Sequence, residues 1–195
     1  MSVPDWLQSA LPAAARHEGL AVCQLGDARG FERGGLKLTS PAFAAGEELD
    51  PCFTADEEDA VAPPLEWTAP PPGTQEIAII VEDATAGQSD PKCHWLVWGL
   101  PGQRGKILEG EAPPRTGKNS ARNSEWLLPE LPVGETHTFV FQLFALDLPL
   151  TLMPGASRAD LIAEVDGHVM ASSTLVAQYT RSQEDEDDWV DDDDD

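Results

Sequence analysis

Basic side chains are scarce in this sequence: 12 Lys and Arg stand against 35 Asp and Glu, a net charge of -23 over 195 residues. So acidic a chain is repelled by nucleic-acid phosphates, which excludes DNA and RNA as partners. Anionic membrane surfaces are disfavoured for the same reason. Cysteine is scarce as well. Cys23, Cys52 and Cys93 form no CxxC pair, and an odd, scattered set argues against a disulfide framework or a zinc site and for reduced thiols. No stretch approaches the roughly 20 apolar residues of a membrane span. The opening Met1-Ser2-Val3-Pro4-Asp5-Trp6 lacks the basic and apolar regions of a signal peptide. These absences together predict a soluble, cytoplasmic protein.

What is plentiful is loop chemistry. Seventeen prolines and 16 glycines in a chain that is 41% hydrophobic suit a β architecture better than a helix bundle. The length fits one domain, able to bury a core without disulfides or metals. Apolar runs at Ile77–Val81, Trp95–Trp98 and Thr138–Leu146 predict strands buried on both faces. His168–Thr180 predicts a further strand, and the alternation Leu36-Lys37-Leu38-Thr39-Ser40 predicts a shorter one ending at Pro41. Ser157 can cap a helix over Arg158–Val165 that Gly167 ends. Trp6, Leu7, Ala10, Leu11 and Ala14 recur at helical spacing, which predicts a short amphipathic helix over 4–16 on the outside of the domain or against a second subunit, although Pro12 weakens it. Residues 103–132 have little periodicity and read as a long surface loop. Residues 184–195 carry ten carboxylates and read as a solvated, disordered tail. The organisation expected is therefore an N-terminal extension over 1–35, one domain over 36–182 and an acidic tail over 183–195.

Few residues offer chemistry. Asp83 follows the first buried strand and His94 opens the next, so neighbouring strands would bring them together at one sheet edge, where a carboxylate raises a histidine pKa and fixes its tautomer. His137 opens the third strand. Asp83, His94 and His137 lack the HxH or HxxxH spacing of a metal site, so no metal and no cofactor is expected. Two histidines with nearby loop amides suit an anion better, since a protonated His and backbone N–H groups both donate. Gly117-Lys118-Asn119-Ser120 can supply such amides, and Arg115, Lys118 and Arg122 make that loop locally basic, although it is no P-loop. Nucleophilic catalysis finds thin support: there is no GxSxG elbow, and Cys93 and His94, as strand neighbours, point to opposite faces. His17 and His168 read as structural.

Several ordered segments together resemble the phosphatidylethanolamine-binding protein (PEBP) family, in its bacterial Raf-kinase-inhibitor-like branch. They are Leu38-Thr39-Ser40-Pro41-Ala42-Phe43, Pro63-Pro64-Leu65-Glu66-Trp67, Pro72-Gly73-Thr74, Val81-Glu82-Asp83, His94-Trp95-Leu96-Val97, Gly117-Lys118-Asn119, Ala145-Leu146-Asp147 and Gly167-His168-Val169-Met170-Ala171. The resemblance runs from about Leu36 to Arg181. It implies a mainly β fold, a β-sandwich with a few peripheral α-helices. It also implies a small anion-binding pocket at one end, to which Asp83, His94, Gly117, Asn119, Pro129 and His137 correspond, with Phe139 where the family favours Tyr. The family's DPDAP segment reads Asp83-Ala84-Thr85-Ala86-Gly87 here, so Thr85 replaces the second acid and both prolines are gone. Leu128 stands for the glycine before Pro129, and Trp126 for an upstream Tyr. Fewer carboxylates should make the pocket less acidic, and fewer prolines should loosen its loop.

The leading expectation is a non-enzymatic protein that binds a small phosphate-like or carboxylate anion, with Asp83 orienting a histidine. A regulatory role of the kinase- or protease-inhibitor type is what the resemblance adds. The alternative is an interaction module with a vestigial pocket, acting on a protein partner through its tail and N-terminal helix. A weak ester hydrolase ranks third. Trp6-Leu7 and the resemblance also allow a homodimer.

Overall fold

The computed structural model describes residues 2–85, 87 and 89–183; the acidic segment from 184 onward lies outside the described residues. Five strands form one antiparallel sheet, and these are β3 (Glu76–Asp83), β4 (Lys92–Pro101), β6 (Arg115–Thr116), β7 (Thr136–Leu146) and β8 (Val169–Thr180), in the order β6-β4-β3-β7-β8. A second, three-stranded sheet has the order β1-β2-β5, from β1 (Leu38–Thr39), β2 (Leu65–Trp67) and β5 (Gly105–Ile107). Three short α-helices, α1 (Asp5–Gln8), α2 (Ala21–Leu25) and α3 (Arg158–Val165), are present among the described residues, with short 3-10 turns besides. The fold is mainly β, as the composition and resemblance imply.

The apolar runs at β3, β4 and β7 are continuous because the large sheet is covered on both sides. Ile77, Ile79 and Val81 of β3 and Phe139, Phe141 and Leu143 of β7 face one core, closed by Leu38, Leu65, Trp67 and Ile107 of the small sheet. Ala78 and Ile80, with Val140 and Phe144, face a second core on the opposite side. Side chains that alternate along a strand thus both find apolar company, and no position of β3 is left for solvent. The arrangement is three layers: small sheet, large sheet, and a layer of helices and N-terminal chain.

That third layer differs from the expected peripheral helix. α1 spans only Asp5–Gln8, and Ala13–Ala15 form a separate 3-10 turn starting after Pro12. Proline lacks the N–H and crowds the preceding turn, so one continuous helix over 4–16 is not formed. Nor does the segment lie outside the domain: Leu7, Ala15, Leu20, Ala21 and Val22 are fully buried in the second core. Trp6 packs on Phe31 at 5.4 Å between ring centres.

Polar groups lock this layer in place. The first N–H groups of a helix lack intrahelical partners, and in α2 they donate to the sheet: Ala21 N–H to Glu82 Oε2 at 2.8 Å, Val22 N–H to Gln142 Oε1 at 2.7 Å. Glu82 is fully buried and also accepts from Gln142 Nε2 and from the guanidinium of Arg158, which bonds the Gly19 carbonyl as well. The sequence signals for α3 hold: Ser157 and Asp160 form a reciprocal capping box.

Candidate functional site

A β-bulge decides where His94 points. Val81 pairs with Trp95 and Glu82 with Cys93, so His94 is the extra residue of β4, opposite no single partner. Plain alternation would send His94 and Trp95 to opposite faces. With the bulge, both rings reach Trp126, His94 at 6.0 Å and Trp95 at 5.7 Å, while Cys93 keeps to the second core. Bulges re-aim side chains in this way.

The irregular segment after β6 runs beside β4 and holds the histidine at two points. The Leu127 N–H donates to the His94 backbone carbonyl at 2.9 Å, and His94 Nδ1 lies 2.6 Å from the Leu127 carbonyl oxygen. A carbonyl only accepts, so Nδ1 carries the proton and donates. The ring is 2% exposed and meets Phe139 edge-on at 5.1 Å. Burial pushes the His94 imidazole down to about 4, against the opposing pull of the Leu127 carbonyl and of Asp83. At neutral pH the ring is therefore neutral, and its Nε2 is a bare acceptor. Among the described residues, that buried atom has no hydrogen-bond partner.

His94 lines a cavity of about 230 Å³ together with Asp83, Lys92, Pro129, Glu130, Leu131, His137 and Phe139. Asp83 sits at the end of β3, facing Phe139 of β7 in register. The histidine its carboxylate bonds is His137, whose Nδ1 lies 2.5 Å from Asp83 Oδ2. Glu135 stands 3.3 Å from the other ring nitrogen of His137. The replacement Thr85 is built into this pair. Its backbone N–H and hydroxyl both donate to Asp83 Oδ1, at 2.9 and 2.5 Å, while its oxygen accepts from the Thr138 N–H. Burial raises the Asp83 pKa, but the hydrogen bonds from Thr85 and from His137 outweigh it and hold the carboxyl below its usual range.

The strip Pro129–Leu131 that closes one side is tied down by its carbonyls. Pro129 accepts from the Ala55 N–H at 2.9 Å and Leu131 from Arg181 Nη1 at 2.8 Å. Arg181 in turn pairs with Asp56, which also receives the Tyr179 hydroxyl.

The structure thus brings together Asp83, His94, Pro129, His137 and Phe139, five of the residues singled out in the sequence. Gly117 and Asn119 are not among the cavity's lining residues. Asn119 is a loop organiser: its Nδ2 donates to Asn123 Oδ1 and the Glu125 carbonyl, and its Oδ1 accepts from Ala121 N–H. At Gly117 a Cβ would lie 2.6 Å from the Ala156 carbonyl oxygen and 2.9 Å from the Trp98 ring, so glycine is required there by close packing. Arg115, Lys118 and Arg122 are likewise absent from the wall. The cation that does line it is Lys92, opposite Asp83 in register. Its signal in the sequence is the i, i+2 relation to His94. Glu130 and Leu131 are further lining residues that sequence reasoning missed.

Among the described residues, no three His, Cys, Asp or Glu side chains are grouped to hold a metal ion. The thiols are poor nucleophiles. Burial pushes Cys93 up to about 12, and Cys23 and Cys52 up to about 11.

Comparison with known proteins agrees with this fold. The sequence pattern of the family described as phosphatidylethanolamine-binding protein matches residues 39–180. A UPF0098 protein of Methanothermobacter thermautotrophicus is 30% identical over 153 residues, covering 75% of this chain and 99% of that one. A UPF0098 protein of Aquifex aeolicus is 30% identical over 161 residues, covering 77% and 93%. The crystal structure of a PEBP homolog from Chlamydia trachomatis superposes with a TM-score of 0.69 at 26% identity, covering 75% of this chain and 98% of that one. YBCL of E. coli, at 20% identity and a TM-score of 0.66, shares the fold. The chain belongs to the phosphatidylethanolamine-binding protein family.

Proposed function

We propose that this protein binds, without turning it over, a small phosphate-like or carboxylate oxyanion in the cavity between His94 and the Asp83–His137 pair, as part of a regulatory protein of the kinase- or protease-inhibitor type. The observation that carries the reading is the buried, unpartnered Nε2 of His94, a residue that lines the cavity. A buried polar atom without a partner costs about 1–3 kcal/mol; a ligand that keeps an O–H at neutral pH, as phosphate does, recovers that cost at Nε2, whereas a carboxylate ion would be held by Lys92 alone. Lys92 adds a donor. The volume, about 230 Å³, suits a head group or a single anion and is small for a drug-sized molecule. The chemistry of binding differs from the sequence expectation in one respect: His94 is neutral, so it accepts a hydrogen bond where a protonated ring would donate. No helix among the described residues is long and apolar enough to cross a membrane. Three free cysteines support a reducing, cytoplasmic setting for this role.

Calorimetric titration with inorganic phosphate, phosphoethanolamine and acetate tests the reading. At least one should bind to the wild type, and His94→Ala should weaken it at least tenfold with an unchanged far-UV spectrum. Equal affinity in the two proteins, or no binding to the wild type, overturns it.

A further inference from the structure

The polarity of His94 within the cavity has a consequence for which oxyanions are accepted. With Nδ1–H committed to the Leu127 carbonyl, the neutral ring presents a lone pair at Nε2, buried and unpartnered. A fully deprotonated oxyanion presents only lone pairs. Placing the two against each other in a buried site gives repulsion without a hydrogen bond. The other charged groups of the cavity point the same way. Asp83 arrives from β3, Glu130 from the strip beyond Pro129, and Glu135 flanks His137 at the start of β7. Against these stands Lys92 from β4, with the His137 ring from β7 paired to Asp83. A wall with three carboxylates in or beside it disfavours a bare dianion and favours a ligand of lower charge.

Resting on the binding reading above, we propose that the oxyanion is held together with one proton, shared between a ligand oxygen and His94 Nε2, so that the pocket selects protonatable phosphate-type oxyanions over sulfate-type ones. The proton balance is explicit. Inorganic phosphate keeps at least one O–H through the neutral range and donates it to Nε2, with no proton taken from water. Sulfate has none to give, so its binding requires His94 itself to take a proton from solvent. Burial holds His94 at about 4, which makes that uptake unfavourable at neutral pH. His94 is then the specificity-determining residue of the site.

The experiment is a pair of calorimetric titrations, inorganic phosphate and sulfate, on the full chain at pH 7.5, 6.5 and 5.5. His137, Asp83, Glu130, Glu135 and Lys92 act on both anions, so the readout is the ratio of the two affinities. Phosphate should bind at least tenfold tighter than sulfate at pH 7.5, and sulfate affinity should rise about tenfold per pH unit on acidification while phosphate rises less. His94→Gln, whose amide can donate, should bring the ratio close to one. Should that variant fail to fold, the wild-type ratio decides alone. Equal affinities with equal pH slopes overturn the proton-linked selection and leave the binding reading standing. Absence of binding by either anion at every pH overturns the binding reading, and this inference with it.

Discussion

Replacing Arg158 with Met is expected to destabilise the fold by about 3 kcal/mol, the low end of the range for breaking a buried ion pair. The cost arises on the partner. Glu82 is completely buried on the second face of the large sheet, and the Arg158 guanidinium supplies its opposing charge. The low end applies because the Arg158 side chain is 28% exposed, so water can enter and solvate part of what is left. Removing both charges should cost less than removing one. In Glu82→Gln with Arg158→Met, an amide can still accept from the Ala21 N–H, and no uncompensated charge remains. Urea denaturation of both variants checks this. If the double variant is no more stable than Arg158→Met alone, the stranded-charge explanation fails.

The second large effect is a loss of stability on mild acidification. An unfolded histidine takes up a proton near its ordinary value of 6.5, but in the fold burial holds His94 at about 4. Between these values the unfolded state binds more protons, so stability falls as pH falls. The shift corresponds to about 3 kcal/mol at its full extent, present above about 6.5 and lost by about 4. Asp83 adds a separate loss. Its carboxyl is held below the ordinary range, so its contribution persists above that range and disappears as pH drops through the folded value. His94→Phe keeps a ring against Phe139 and Trp126 but cannot titrate. Its stability should therefore be flatter between pH 6.5 and 4.5 than that of the wild type, and parallel curves for the two proteins would show that His94 is not the group responsible.

Much of the fold is readable from the chain because its physical causes are local. The runs Ile77–Val81 and Thr138–Leu146 have no polar position to spare for solvent, which fits a strand covered on both faces, and both lie in the central strands β3 and β7. Ser157 lies three residues before Asp160, and the capping box forms. The site is readable where a side chain's position follows from its strand. Asp83 does end β3 and His137 does begin β7, but the sequence sets Asp83 against His94 of the next strand in the chain; because β7 also pairs with β3, His137 is the histidine it bonds. It is hidden where tertiary contacts decide. The bulge that turns His94 toward Phe139 depends on how β4 registers against β3, which no periodicity in β4 alone reveals. Thr85 reads as a lost acid, yet as a hydroxyl it joins Asp83 to the Thr138 backbone. Asn119 reads as a ligand and instead folds its own loop, because the partners that satisfy it lie two to six residues away. The N-terminal segment reads as an extension because the resemblance begins only at about Leu36 and Pro12 interrupts the helical pattern before it. Its burial follows from the N–H groups of α2, which dock on Glu82 and Gln142 over long sequence separations.

The most direct test of the site is the ring nitrogens of His94, followed by long-range ¹H–¹⁵N NMR at neutral pH before and after addition of inorganic phosphate. The account predicts a neutral ring protonated at Nδ1 in the free protein, with an Nε2 resonance that shifts toward a hydrogen-bonded value as phosphate is added. A His94 ring already protonated on both nitrogens in the free protein, or an Nε2 signal that phosphate leaves unmoved, would contradict it.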